Sequence, residues 1–187
     1  MHGATIAHYM GFQMKELVRK ITRGKVVCMP TDTVYGLVCS AKSPQAVQRL
    51  YEVKGRENRP GTIIAASIEQ LIELGFNKND VQVAAQFLPG PVSVVLPAPD
   101  SLIYLHMGLD SLAVRIPANK KLQELLSITG PLATTSANRP GEPTVTNIDQ
   151  AREIFAVKVA LYVDGGEITS QPSTIMIKTE GGFNKLR

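Results

Sequence analysis

Lys25 to Gly55 reads KVVCMPTDTVYGLVCSAKSPQAVQRLYEVKG, and the change of period inside it decides the fold. KVVCM is a short apolar run that reads as a buried strand. The turn-rich PTDTVYG follows it. Ser43-Pro44 then starts a helix, with serine as N-cap and proline at the first helical position. Val47, Leu50, Tyr51 and Lys54 recur on one helical face until Gly55 supplies the stop. The segment is a strand, a polar loop and a capped helix in succession.

Working outward, the same alternation continues in both directions. Upstream, Met14, Leu17, Val18 and Ile21 share a helical face, and Gly24 ends it. Residues 1–12 lack periodicity and read as a flexible N-terminal tail ahead of a domain over 13–187. Downstream, TIIAA reads as a strand, followed by a helix capped by Ser67 and stopped at Gly75. A helix over Asp80 to Leu88 ends at Pro89-Gly90-Pro91, and the strands VSVVLP and LAVRIP close on Pro97 and Pro117. Lys120 to Ile128 is helical, PLATTSA is a strand running into a loop, and Ile148 to Phe155 is helical behind Asn147. VALYVDGG and STIMIK read as the last strands; beyond them Gly181-Gly182 reads as a turn or hinge, after which residues 183–187 are either a frayed tail or a segment that returns to a ligand. This alternation, without repeats or linkers, predicts a single α/β domain: a twisted, largely parallel or mixed sheet with flanking helices. Ligands of such sheets bind in loops that leave strand ends.

Composition narrows the function classes. The 187 residues are 44% hydrophobic and 19% charged, an ordinary globular balance that excludes wholesale disorder. No run of 18 apolar residues occurs and the N-terminus lacks a basic, apolar leader, so a cytoplasmic protein is expected. Cys28 and Cys39 sit in apolar surroundings and read as buried thiols. A net charge of +4 favours anionic ligands, whereas 5% aromatics and no Trp argue against a base-stacking surface. Neither a P-loop nor a dinucleotide fingerprint is present. Three histidines, two of them at positions 2 and 8, give no catalytic triad and no zinc spacing. Any chemistry here must work by positioning and electrostatics.

Four groups of residues carry signal. Lys54, Arg56 and Arg59, bracketed by Gly55 and Gly61, make a cationic strap able to close over phosphates; dipole compensation at a helix end accounts for Lys54 equally well. Ser136 and Asn138 offer short donors and acceptors at a strand end, as an ordinary Asx- or ST-turn also would. Thr31, Asp32, Thr33 and Tyr35 form a second polar cluster, for which a plain turn is again the alternative. Arg115 lies inside the apolar LAVRIP, where an arginine needs an anionic partner unless it snorkels from an edge strand.

Taken in order, PTDTVYGL (30–37), KGR (54–56), PGPVSVVL (89–96), SLAVRIP (111–117) and TSANRPG (135–141) resemble the YrdC/Sua5 family, the L-threonylcarbamoyladenylate synthases. Lys54-x-Arg56 followed by Ser136-x-Asn138 matches the family's signature tetrad, and the resemblance runs from Gln13 to Arg187 in the manner of the single-domain bacterial form.

The resemblance implies a YrdC-like fold with a basic concave cleft. It implies an enzyme that joins L-threonine, bicarbonate and ATP into threonylcarbamoyl-AMP and pyrophosphate, toward the t6A modification of tRNA. Lys54, Arg56, Ser136 and Asn138 would form the catalytic set on the ATP phosphates, with Ser111, Thr144 and Arg187 as further nucleotide contacts. Thr33, Arg115, Thr134 and Ser173 would take the threonine. Mg2+ is the implied cofactor, held through phosphates and water and not by side chains. The transferase that consumes the product is an implied transient partner; tRNA or double-stranded RNA binding would be weak, and no membrane is involved. Pro60, Thr62 and Ala65 depart from the family's pattern around the strap. Two other readings stay open: a double-stranded RNA-binding or ribosome-maturation module, and a carbamoyl-adenylate enzyme with another acceptor.

Overall fold

The computed structural model describes residues 13–55, 59–179 and 182–187; the tail expected over 1–12 lies outside the described residues. Eight strands form one sheet: β1 (Val27–Pro30), β2 (Tyr35–Ser40), β3 (Thr62–Ile64), β4 (Val92–Pro97), β5 (Ser111–Arg115), β6 (Leu132–Ser136), β7 (Thr174–Thr179) and β8 (Gly182–Lys185). Their order across the sheet is β1-β2-β6-β3-β5-β4-β7-β8. The pairs β3–β5 and β4–β7 are parallel, and the other five are antiparallel, so the sheet is of the mixed type.

The helices are α1 (13–22), α2 (Pro44–Lys54), α3 (Ile68–Leu74), α4 (Lys78–Ala84), α5 (Ile103–His106), α6 (Lys120–Thr129) and α7 (Ile148–Phe155). Their starts are chemically specified. Ser43, Ser67, Asn77, Asn119 and Asn147 each accept a backbone N–H of the first turn they precede, which satisfies donors the helix cannot. Gly55 closes α2 at φ 63°, ψ 45°, a left-handed conformation that glycine adopts without a Cβ penalty.

Period-two alternation divides the sheet into two unlike faces. Tyr35, Leu37 and Cys39 of β2, Ile63 of β3, Val94 and Leu96 of β4, Leu112 and Val114 of β5 and Ala133 of β6 point to one face, packed by α2, α3, α4, α5 and α7. Val38, Ile64 and Leu132 point to the other, where α1 and α6 cover them with Leu17, Ile21, Leu122, Leu125 and Leu126. Burying a leucine such as Leu126 contributes about 1.5–3 kcal/mol. Along the same strands the second face then turns polar. Gly36 follows in the register of Val38, Thr62 in that of Ile64, and Thr134 and Ser136 in that of Leu132. Ser93 and Arg115 join them from β4 and β5. The candidate site is this polar half of the sheet.

Four readings are corrected. PTDTVYG is not one loop: its turn closes with Thr31 N–H on Val34 O at 3.1 Å, and Tyr35 already begins a fully buried strand. VALYVDGG is not a strand, because beyond the single bridge of Tyr162 to Cys28 the chain is drawn off the sheet edge. The Tyr35 hydroxyl accepts from Gly165 N at 2.8 Å and donates to Gly166 O at 2.7 Å, replacing ladder bonds with side-chain bonds. The helix read as Asp80 to Leu88 begins instead at Lys78, because Asn77 caps it. The segment after β7 is not a frayed tail. β8 pairs antiparallel with β7, Arg187 O accepts from Ile175 N at 3.2 Å, and Phe183 packs edge-on against Phe87 at 4.9 Å between centroids.

Candidate active site

Two clefts open on the polar half of the sheet and share Ser136. The larger, about 360 Å³, is lined by Lys54, Gly55, Arg59, Ser136, Asn138, Pro140 and Gly141. Lys54 reaches it from the last turn of α2, whose capped start and glycine stop fix where its side chain emerges. Its ammonium donates to Ser136 O at 2.8 Å, to Asn138 Oδ1 at 2.6 Å and to Asn138 O. Asn138 Oδ1 also accepts the Ser136 hydroxyl at 2.6 Å, and its amide nitrogen donates to Arg139 O and Glu142 O. A buried ammonium thus folds the loop after β6 around itself. The result is a cationic wall with serine and asparagine oxygens fixed in place, suited to a polyanion.

The smaller cleft, about 70 Å³, is rich in hydroxyls from Thr31, Thr33, Thr62, Thr134 and Thr135, and Arg115, Ser173 and Arg187 also line it. Thr33 is fixed by the turn, its Oγ1 lying 3.4 Å from that of Thr31. Close approach of the backbone keeps the cleft this shape. A Cβ on Gly61 would fall 2.6 Å from Thr134 O, and one on Gly36 would fall 3.0 Å from Thr134 Oγ1 and Thr31 Cγ2.

Arg115 is 4% exposed, and its Nη2 lies 2.9 Å from Asp32 Oδ1, the anionic partner its apolar strand demanded. The contact is an ion pair made off the hydrogen-bonding axis, since Asp32 Oδ1 satisfies no hydrogen-bond geometry among the described residues. Arg115 Nε likewise has no partner among them. Burial pushes the Asp32 carboxyl above its ordinary range, with Arg115 opposing. Burial likewise pulls the Arg115 guanidinium down, opposed by Asp32 and assisted by the nearby charge of Arg187; an arginine still keeps its charge at any ordinary pH. The geometry offers a charged, planar donor in the lining of a small polar cavity, which is what a carboxylate requires.

The structure therefore brings together Lys54, Ser136 and Asn138 in one cleft and Thr33, Arg115, Thr134, Ser173 and Arg187 in the other. Arg187, implied as a nucleotide contact, donates to Ser173 O at 3.0 Å and lines the smaller cleft, which adjoins the larger one at Ser136. Ser111 shares the strand face of Arg115 but stands at the other end of β5, and neither it nor half-buried Thr144 is among the described residues lining these two clefts. Arg56 lies outside the described residues. Sequence reasoning gave no role to Ser93 or to Gly36, and it set no carboxylate among the matched residues. Asp32 could have been paired with Arg115 on charge alone; Ser93 stood out only as a hydroxyl in an otherwise apolar strand.

Among the described residues no group of three or more His, Cys, Asp or Glu could hold a metal ion, and no helix is long and apolar enough to cross a membrane.

A family model described as "Telomere recombination" (Sua5_yciO_yrdC) matches residues 19–187. A threonylcarbamoyl-AMP synthase of Pyrococcus abyssi is 38% identical over 166 residues, covering 86% of this chain and 49% of that protein. A threonylcarbamoyl-AMP synthase of Vibrio campbellii is 32% identical over 158 residues, covering 81% of this chain and 85% of that protein. Among solved structures, P. abyssi Sua5 complexed with L-threonine superposes with a TM-score of 0.83 at 35% identity, over 94% of this chain and 54% of that one. The chain thus spans about half the length of the archaeal relative and most of the Vibrio one.

Proposed function

The chain belongs to the Sua5–YciO–YrdC family, and from that premise we propose that it is a threonylcarbamoyl-AMP synthase, an enzyme making threonylcarbamoyl-AMP and pyrophosphate from L-threonine, bicarbonate and ATP. The observation that carries this reading is that Ser136 lines both a cationic cleft and a small hydroxyl-walled cleft with a buried arginine. A triphosphate in the first and an amino acid in the second meet at that residue, which is where a carbamate oxygen must reach the α-phosphorus.

The reaction is a positioning problem with charge stabilisation on the departing pyrophosphate. Lys54 and Arg59 supply positive charge to the larger cleft, and Arg56 would add to it by resemblance. Arg115 receives the threonine carboxylate, and Thr33, Thr134 and Ser173 close around the rest of the amino acid. Mg2+ would be held through the ATP phosphates and water, with the neutral oxygens of Ser136 and Asn138 in the lining of the same cleft. When bound, it neutralises charge developing on the pyrophosphate. The product serves tRNA t6A synthesis and passes to a transferase, in the cytoplasm. Binding to tRNA itself is weak and salt-sensitive, given a net charge of +4 and few aromatics.

The deciding assay is pyrophosphate release from ATP and bicarbonate with each amino acid in turn. L-Threonine is expected to support turnover. Serine should do so weakly, since one methyl group discriminates by about 1–3 kcal/mol. Equal turnover without any amino acid would refute the reading. A requirement for a different acceptor would instead indicate another carbamoyl-adenylate enzyme, and nanomolar, salt-resistant RNA binding without turnover would indicate an RNA-binding module.

A further inference from the structure

Resting on the threonine-site reading above, we propose that Ser93 is a positioning residue for the amino acid: it accepts a hydrogen bond from Arg115, donates one to Ser173, and so makes Ser173 a donor toward the substrate.

Ser93 is the odd residue of β4, a fully buried hydroxyl within VSVVLP. It sits on the polar face between two residues of the smaller cleft. Its Oγ is 3.0 Å from Ser173 Oγ, and Arg115 Nη1 donates to it over a long 3.5 Å. The Ser93–Ser173 contact alone has no direction, since either hydroxyl can donate. Arg115 supplies the direction. A guanidinium has donors and no acceptor, so the Ser93 oxygen facing it must accept. A hydroxyl oxygen can accept twice, but fully buried Ser93 has no other side-chain hydrogen-bond partner among the described residues, so its own hydrogen has only Ser173 Oγ to turn to. That leaves the Ser173 hydroxyl hydrogen unspent, and Ser173 lines the cleft at 6% exposure.

A donor at this position matches a carboxylate or carbonyl oxygen and repels an N–H. Chains of this kind also strengthen along their length in a low-dielectric interior. The surrounding architecture holds the chain in line. Parallel pairing of β4 with β7 sets Ser93 opposite Ile175, two residues from Ser173. Arg187 fixes the Ser173 carbonyl from the far side at 3.0 Å. Asp32 holds the other arm of Arg115 at 2.9 Å, so the guanidinium does not swing away from Ser93.

The test is steady-state pyrophosphate release with the full chain, varying threonine and ATP separately. Ser93→Ala should raise the threonine KM about fivefold, the loss of one hydrogen bond, with kcat and ATP KM close to the parent values and Tm lowered by a few degrees at most. Ser173→Ala should raise it as well, and the double variant should be no worse than Ser173→Ala, because Asp32 still holds Arg115 and Ser93 reaches the substrate through Ser173. Ser93→Cys, which keeps the volume and a weak donor, should recover part of the loss; it also serves as the test if the alanine variant folds poorly. An unchanged threonine KM, additive effects in the double variant, or equal losses for threonine and ATP would each overturn the proposal. Those outcomes leave the synthase reading standing when the parent protein turns over with threonine. A parent protein without threonine-dependent turnover would overturn both.

Discussion

Lys54 and Asn138 stand 84 positions apart, yet their side chains meet at 2.6 Å in a buried contact that ties the end of α2 to the loop after β6. Through it the ammonium shapes the loop as well as lending it charge.

Replacing Lys54 with methionine should therefore cost stability as well as activity. Ser136 O and Asn138 O lose a donor and Asn138 Oδ1 keeps only the Ser136 hydroxyl, and a buried polar atom left unpaired costs about 1–3 kcal/mol. At roughly 2–4 °C per kcal/mol for a domain of this size, thermal melting should register the loss. The ATP KM should rise in the same variant. A variant that loses activity with an unchanged Tm would mean that Lys54 serves the ligand alone.

Asp32→Asn tests the buried ion pair through pH. Burial raises the Asp32 pKa in the folded state, so the native protein holds that proton more tightly than the unfolded chain. Stability of the parent protein should fall as pH rises from about 3.9, the ordinary Asp value, through the raised folded value, and level off above it. Asp32→Asn lacks this slope. Urea midpoints of both proteins across this range measure the difference, and a slope of opposite sign would mean that attraction to Arg115 outweighs burial.

Gly61→Ala should be destabilising out of proportion to its size. The added methyl would sit 2.6 Å from the backbone oxygen of Thr134, which belongs to a central strand and cannot step aside. Overpacking of this kind costs about 1–3 kcal/mol. Because Thr134 lines the smaller cleft, threonine KM should worsen more than ATP KM, as kinetics with each substrate varied would register.

Removing residues 183–187 should lower Tm, contrary to what a frayed tail predicts. The truncation deletes most of β8, the edge-on contact of Phe183 with Phe87, and the Arg187 cap on Ser173. An aromatic pair contributes about 0.5–1.5 kcal/mol beyond its buried area. Phe183→Ala in the full chain separates that packing loss from the loss of Arg187, whose own replacement should act on threonine affinity.

Cys28 and Cys39 should resist thiol reagents. Burial pushes each thiol up to about 12, and the reactive species is the thiolate. At pH 8 the folded protein should leave Ellman's reagent almost colourless, with two thiols appearing once it is denatured.

Much of this protein was legible in the chain because it depends on neighbours in sequence. Ser43-Pro44 and Gly55 bound α2, and Asn147 starts α7, since a cap acts within one turn. The alternation in LATTS places Leu132, Thr134 and Ser136 on one face before any fold is known, since β side chains repeat every two residues. The family's motifs likewise pointed to Lys54, Ser136, Asn138 and Arg115. What only the tertiary structure decided depends on which strands lie side by side. Order β3-β5-β4-β7 carries Ser93 to Ser173 and Arg115, and β2 beside β6 brings Gly36 against Thr134. The tail-like FNKLR becomes a strand because β7 offers it a free edge, and Arg187 thereby lands in the smaller cleft. Such pairings bind residues far apart in sequence, and no local propensity encodes them; they exist only when the whole sheet closes around its two cores.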